Sequence, residues 1–99
     1  MSEMNKLKQK LTIKKIDKET TNIQILDNNI LLSIVGEFNV HLIQLEKLTE
    51  TTLFFRGNSI TAKGNSDNLL RISEAIKFLI QKFLLTNSIE KSDIILSVN

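Results

Sequence analysis

Between residues 28 and 85 the spacing of apolar side chains changes period repeatedly, and each change marks the boundary of an element. Asp27 is a good N-cap and precedes the apolar run Asn28 to Val35, which Gly36 closes and which is too short to be an independent helix. A glycine at that place supplies a left-handed turn without a Cβ clash. Asn39 has the short acceptor side chain that caps a new helix from Val40 to about Thr49, with Phe38, Leu42, Leu45 and Leu48 or Thr49 on one stripe and Phe38, just before the cap, placed to staple its entry. After Glu50 the period drops from 3.6 to 2. Thr52 to Arg56 and Ser59 to Lys63 read as strands joined by Gly57-Asn58, a pair suited to a type II′ turn. That turn fixes the register: Phe55 faces Ile60 and Leu53 faces Ala62 on the core side, while Phe54 faces Thr61 on the other. The second face carries Thr52, Phe54, Arg56, Ser59, Thr61 and Lys63, a polar and basic set around one aromatic ring.

The flanking segments follow the same logic. Residues 1–10 are charged and without period, which predicts a flexible basic tail. Leu11 to Ile16 and Asn22 to Leu26 read as strands linked by the polar stretch Asp17 to Thr21, either paired as a hairpin or contributing separately to a sheet. Asn65 and Asp67 offer a cap and a first-turn acid to the longest helix, about Asp67 to Leu85. Its stripe is Leu69, Ile72, Ile76, Leu79, Ile80 and Phe83, and Asn87 can stop it in the left-handed region. Ser92 and Asp93 read as the cap of a further helix, Ile94 to Val98. The expected fold is α+β, a small three- or four-stranded sheet with helices packed on one face. Its body covers residues 11–87, and residues 88–99 begin a helix or a linker.

Composition narrows the chemistry. Ninety-nine residues, 41% hydrophobic and 24% charged, suit one small globular domain. No apolar run approaches the roughly 20 residues of a membrane span, and the N-terminus lacks the apolar core of a signal peptide, so a cytoplasmic location is expected. Zero cysteines removes disulfides, thiolate zinc sites and cysteine nucleophiles. The formal charge of +2 is unevenly spread: residues 1–18 hold six lysines against two acids, and the remainder holds seven basic and nine acidic side chains. His41 stands one position off the core stripe with no ligand set beside it. Glu46 and Glu50 share a helix face without partners and read as solvated. Neither makes a metal site or a general base. The residues point to binding rather than catalysis.

The element order, strand, short helix, glycine turn, helix, strand, strand, long helix, is that of a KH-type domain. The residue pattern Gly36-x-x-Asn39-x-x-Leu42-x-x-Leu45-Glu46, then Arg56-Gly57-Asn58-Ser59-Ile60-x-x-x-Gly64, resembles the N-terminal KH-like region of PhoH-family proteins over about residues 22–99. The resemblance implies an accessory domain of a longer ATP-binding protein involved in RNA metabolism. Its expected partners are RNA, the protein's own ATPase domain, an endoribonuclease, or a second copy of the chain. ATP and magnesium belong to that ATPase domain; this chain contains no G-x-x-x-x-G-K-[ST], and Gly64-Asn65-Ser66 is only superficially like a phosphate loop. The candidate contact residues are Gly36, Glu37, Phe38 and Asn39 in the loop and Phe54, Arg56 and Lys63 on the outer face of the hairpin. In the loop Asn39 replaces the second glycine of a KH clamp, and Glu37 adds a carboxylate that repels phosphate. The alternative is a protein-interaction or oligomerisation module with no nucleic-acid binding of its own.

Overall fold

The computed structural model describes residues 9–99; of the tail expected at residues 1–10, residues 1–8 lie outside them. Two strands open the fold, β1 (Leu11–Asp17) and β2 (Thr20–Ile25), followed by helices α1 (Asn28–Val35) and α2 (Val40–Thr49). The hairpin β3 (Thr52–Arg56) and β4 (Ser59–Lys63), the long helix α3 (Ser66–Thr86) and a final helix α4 (Lys91–Val98) complete it. The sheet is antiparallel with order β1-β2-β4-β3, so β4 comes back between its hairpin partner and β2. This is an α+β fold with a four-stranded sheet.

The core lies between the sheet and the helices. Ile23, Ile25, Leu53, Ile60 and Ala62 point from the sheet toward Ile30 and Ile34 of α1, Leu42 and Leu45 of α2, and Leu69, Ile72, Ile76, Leu79 and Ile80 of α3. Each fully buried Leu or Ile contributes about 1.5 to 3 kcal/mol, so this layer dominates stability. Along α3 the apolar spacing produces that layer directly, with Ser73 and Ala75 filling the positions between. The expected stripe is observed, although Phe83 is only partly buried.

The ends of the helices show which local expectations held. Asp27 caps α1 by accepting from the amides of Asn29 and Ile30 at 3.0 and 3.3 Å. Asn65 caps α3 through Asn68 N at 2.8 Å, and Asn87 ends it at φ 63°, as expected. The cap of α4 differs from expectation. The N-cap is Glu90, and Asp93, at the third helical position, accepts from Glu90 N at 2.8 Å and meets Lys82 Nζ of α3 at 3.2 Å. This hydrogen bond is the main cause that holds the Asp93 carboxyl below the usual carboxylate range, with the Lys82 ammonium adding to it. Helix α4 thereby belongs to the body: Ile94 is fully buried in the common core.

At the other end, β1 and β2 form a hairpin with a register shift between Lys15 and Asp17. The link is shorter than Asp17 to Thr21, because Asp17 Oδ1 accepts Glu19 N at 2.8 Å and tightens the turn, which frees Thr20 and Thr21 to pair with β4. Gln9 and Lys10 have helical backbone, and Lys10 Nζ reaches Asp27 at 3.3 Å. Among the described residues no helix is long and apolar enough to cross a membrane.

Candidate functional site

The seven residues singled out by the sequence fall into two groups on opposite sides of the sheet. Gly36, Glu37, Phe38 and Asn39 join the helices, which cover the inner face. Phe54, Arg56 and Lys63 have the outer register.

The loop is built by backbone rather than by side chains. Gly36 takes φ 78° and ψ 166°, and a Cβ there would stand 2.8 Å from the His41 ring, so both dihedral and space demand glycine. Glu37–Asn39 form a single tight turn in which Phe38 (φ 54°) and Asn39 (φ 61°) are both left-handed. This overturns two sequence expectations. Asn39 makes no capping hydrogen bond to α2, because a left-handed cap residue does not aim its side chain along the helix axis. Phe38 does not staple the helix entry; the same geometry turns it outward, and it is 92% exposed. The loop's amides are largely committed: Gly36 N donates to Leu32 O at 2.9 Å, Asn39 N to Gly36 O at 3.1 Å, and Val40 N to Glu37 O. His41 is half-buried beside the turn, its Nδ1 2.9 Å from Ser33 O, so that nitrogen donates to the carbonyl.

The hairpin is regular. Gly57 takes φ 60° and Asn58 does not share the positive sign, the pattern of a type II′ turn, and the pairs Phe55–Ile60, Leu53–Ala62 and Phe54–Thr61 have the expected register. Phe54 is 51% exposed, and Lys63 Nζ lies 5.9 Å from the centre of its ring. Arg56 is exposed at the end of β3.

Register extends this outer face across all four strands. Lys14, Asn22, Thr61 and Phe54 form one transverse row, and Thr12, Gln24, Ser59 and Arg56 form the next. Asn22 Nδ2 donates to Thr61 Oγ1 at 3.0 Å, and Gln24 Nε2 to Asn58 Oδ1 at 3.4 Å. Lys14, one of the six lysines of residues 1–18, therefore joins a face that the sequence reading confined to the hairpin. Two-residue alternation in β1 carried that signal, but only the pairing with β2 says which face Lys14 shares. Asp17, at the rim beside Lys63, is held ionised chiefly by the Glu19 amide.

Two further residues take structural roles. Glu46, expected to be solvated, accepts the amide of Leu53 at 2.8 Å and ties α2 to β3. Glu50 ends α2 at φ 54°. A cleft of about 260 Å³ between β1 and the start of α3 has Ile13, Lys15, Thr21, Ser66 and Leu69 in its walls. Among the described residues no group of three or more His, Asp or Glu side chains is placed to hold a metal ion. No family model matches the chain, and no curated protein matches it.

Proposed function

We propose that the chain is a non-catalytic accessory domain of a PhoH-like ATP-binding protein of the cytoplasm, acting in RNA metabolism by contacting RNA or positioning the ATPase domain. The observation that carries this reading is the agreement between motif and backbone. Gly36 stands where the dihedral and the His41 ring exclude a side chain, and Arg56-Gly57-Asn58-Ser59-Ile60 forms the turn of the central hairpin. The order strand, helix, helix, strand, strand, helix over residues 20–86 supports the KH likeness as well. Any nucleotide hydrolysis belongs to the ATPase domain, where ATP and magnesium bind.

The test is binding of a labelled RNA by the 99-residue chain across a salt series. The expected result is measurable affinity at low salt that falls steeply as salt is added, as phosphate contacts require. Absence of binding at low salt would remove RNA contact. A second reading, a docking module for the ATPase domain, an endoribonuclease or a second copy, is favoured by Phe38, a fully presented ring beside a carboxylate. It predicts self-association or partner capture that survives nuclease treatment and is lost in Phe38→Ala.

A further inference from the structure

We infer that the face of the sheet opposite α1, α2 and α3 is a platform for single-stranded nucleic acid, with Phe54 stacking on a base, Lys63, Arg56 and Lys14 meeting phosphates, and the Asn22 and Gln24 amides facing base edges. The inference rests on the RNA-contact reading above and moves the contact from the glycine loop to the opposite side of the sheet.

Charge identifies the partner. Among the described strand residues with outer register, three are cationic, Lys14, Arg56 and Lys63, and Asp17 at the rim is the one carboxylate. Asp17 is already engaged by the Glu19 amide at 2.8 Å and faces Lys63. A face of this sign attracts a polyanion. Side-chain type then selects the form of the polyanion. A half-exposed phenylalanine among threonine, serine and amide side chains is too isolated to be the apolar centre of a protein interface. It is well suited to one base, because every base has a π face and stacking tolerates sequence. A duplex hides those faces and presents phosphates and 2′-hydroxyls instead, so the ring favours a single strand.

The geometry sets the size of the site. Four strands at about 4.8 Å spacing span about 14 Å, room for two or three extended nucleotides. Phe54 and Arg56 lie on one edge strand and Lys14 on the other, with Asn22 and Gln24 on the strand next to β1. Lys14 and Arg56 therefore flank a polar centre, and Lys63 stands at the end of the inner strand β4. Lys63, 5.9 Å from the Phe54 centroid, can hold the phosphate of the nucleotide stacked there. The loop presents a ring in Phe38 but has no cationic residue. Glu37 is acidic, and the amides of Gly36, Asn39 and Val40 are spent on internal carbonyls instead of being free for phosphate.

The experiment is fluorescence anisotropy of the whole chain with a labelled ten-nucleotide oligouridine and with a ten-base-pair RNA duplex, each across a salt series. Single strand is expected to bind more tightly than duplex. Phe54→Ala is expected to weaken single-strand binding about tenfold, with Phe54→Trp retaining it. Lys63→Ala and Arg56→Ala should each weaken it a few-fold and lower the salt slope by about one. Because these side chains are exposed, melting curves should show all four variants folded. Undiminished single-strand binding by Phe54→Ala, or loss of binding in Phe38→Ala instead, would overturn the platform while the RNA reading stands. Preference for duplex would also overturn it. Failure of the unaltered chain to bind either RNA at low salt would overturn both.

Discussion

Two glycine turns carry the motif residues of this protein, and they work in different ways. At Gly57 the turn needs a positive φ and nothing else: no atom lies within 4 Å of where a Cβ would stand. At Gly36 the same residue type answers to both dihedral and space, since the His41 ring occupies the place of a side chain. Downstream of Gly57 the backbone returns at once to regular pairing, whereas after Gly36 two non-glycine residues, Phe38 and Asn39, are left-handed and Phe38 is driven into solvent. A hairpin turn sets register with one unusual residue. A helix-to-helix turn this short spreads its strain over several, and strain of that kind is maintained by packing around it.

The contrast can be broken most severely at Gly36. Gly36→Ala is expected to cost about 3 kcal/mol, combining backbone strain with the clash against His41. Urea unfolding measures it, and the double variant Gly36→Ala with His41→Ala should recover part but not all of the loss, because the dihedral penalty remains. Full recovery would show that space alone matters at this turn. Next in size is Asp93→Asn, which weakens the pair with Lys82 and is expected to cost about 2 kcal/mol at neutral pH. The native Asp93 carboxyl titrates below its unfolded value, so between the two values the unfolded chain binds more protons and acid favours unfolding. Its stabilisation is complete above about pH 4 and disappears as pH falls through the lower native pKa. The gap between wild type and Asp93→Asn should therefore close in acid; a constant gap down to pH 2 would refute the charge argument.

Gly57→Ala should cost only about 1 kcal/mol, since the turn has room for the methyl group and only the dihedral opposes it. A cost as large as at Gly36 would erase the distinction between the turns. The smallest change, Phe38→Gly, removes a left-handed phenylalanine with almost no buried contact and should shift stability by less than about 0.5 kcal/mol either way. A large loss would mean that the ring does packing its exposure does not reveal.

Much of this fold was legible wherever period and punctuation agreed. Alternation through residues 52–63 around Gly57-Asn58 set strands, turn and register together, and the 3.6-residue stripe between Asn65 and Asn87 defined α3 with both of its ends. The Gly36–Asn39 loop was legible only in part. Asn39 is a good cap by type, but its left-handed backbone aims the side chain elsewhere, and that conformation follows from how α1 and α2 meet. For the same reason Phe38 could not be distinguished from a staple. Glu46 was hidden because its partner is an amide seven residues away in the next strand, and Lys14 because its face depends on pairing with β2. The α4 cap was misplaced by two to three residues because Ser92-Asp93 has the composition of a cap, while the hydrogen bonds put Glu90 at that position and Asp93 one turn inside.

Among the described residues strand β1 forms one margin of the sheet and pairs with β2 alone. A margin of this kind is where copies of a protein zip together, and charged side chains, lysine above all, are one of the ways chains prevent it. Lys14 and Lys15 place charge on both faces of the Leu11–Asp17 segment, an arrangement that disfavours annealing of this margin to another copy.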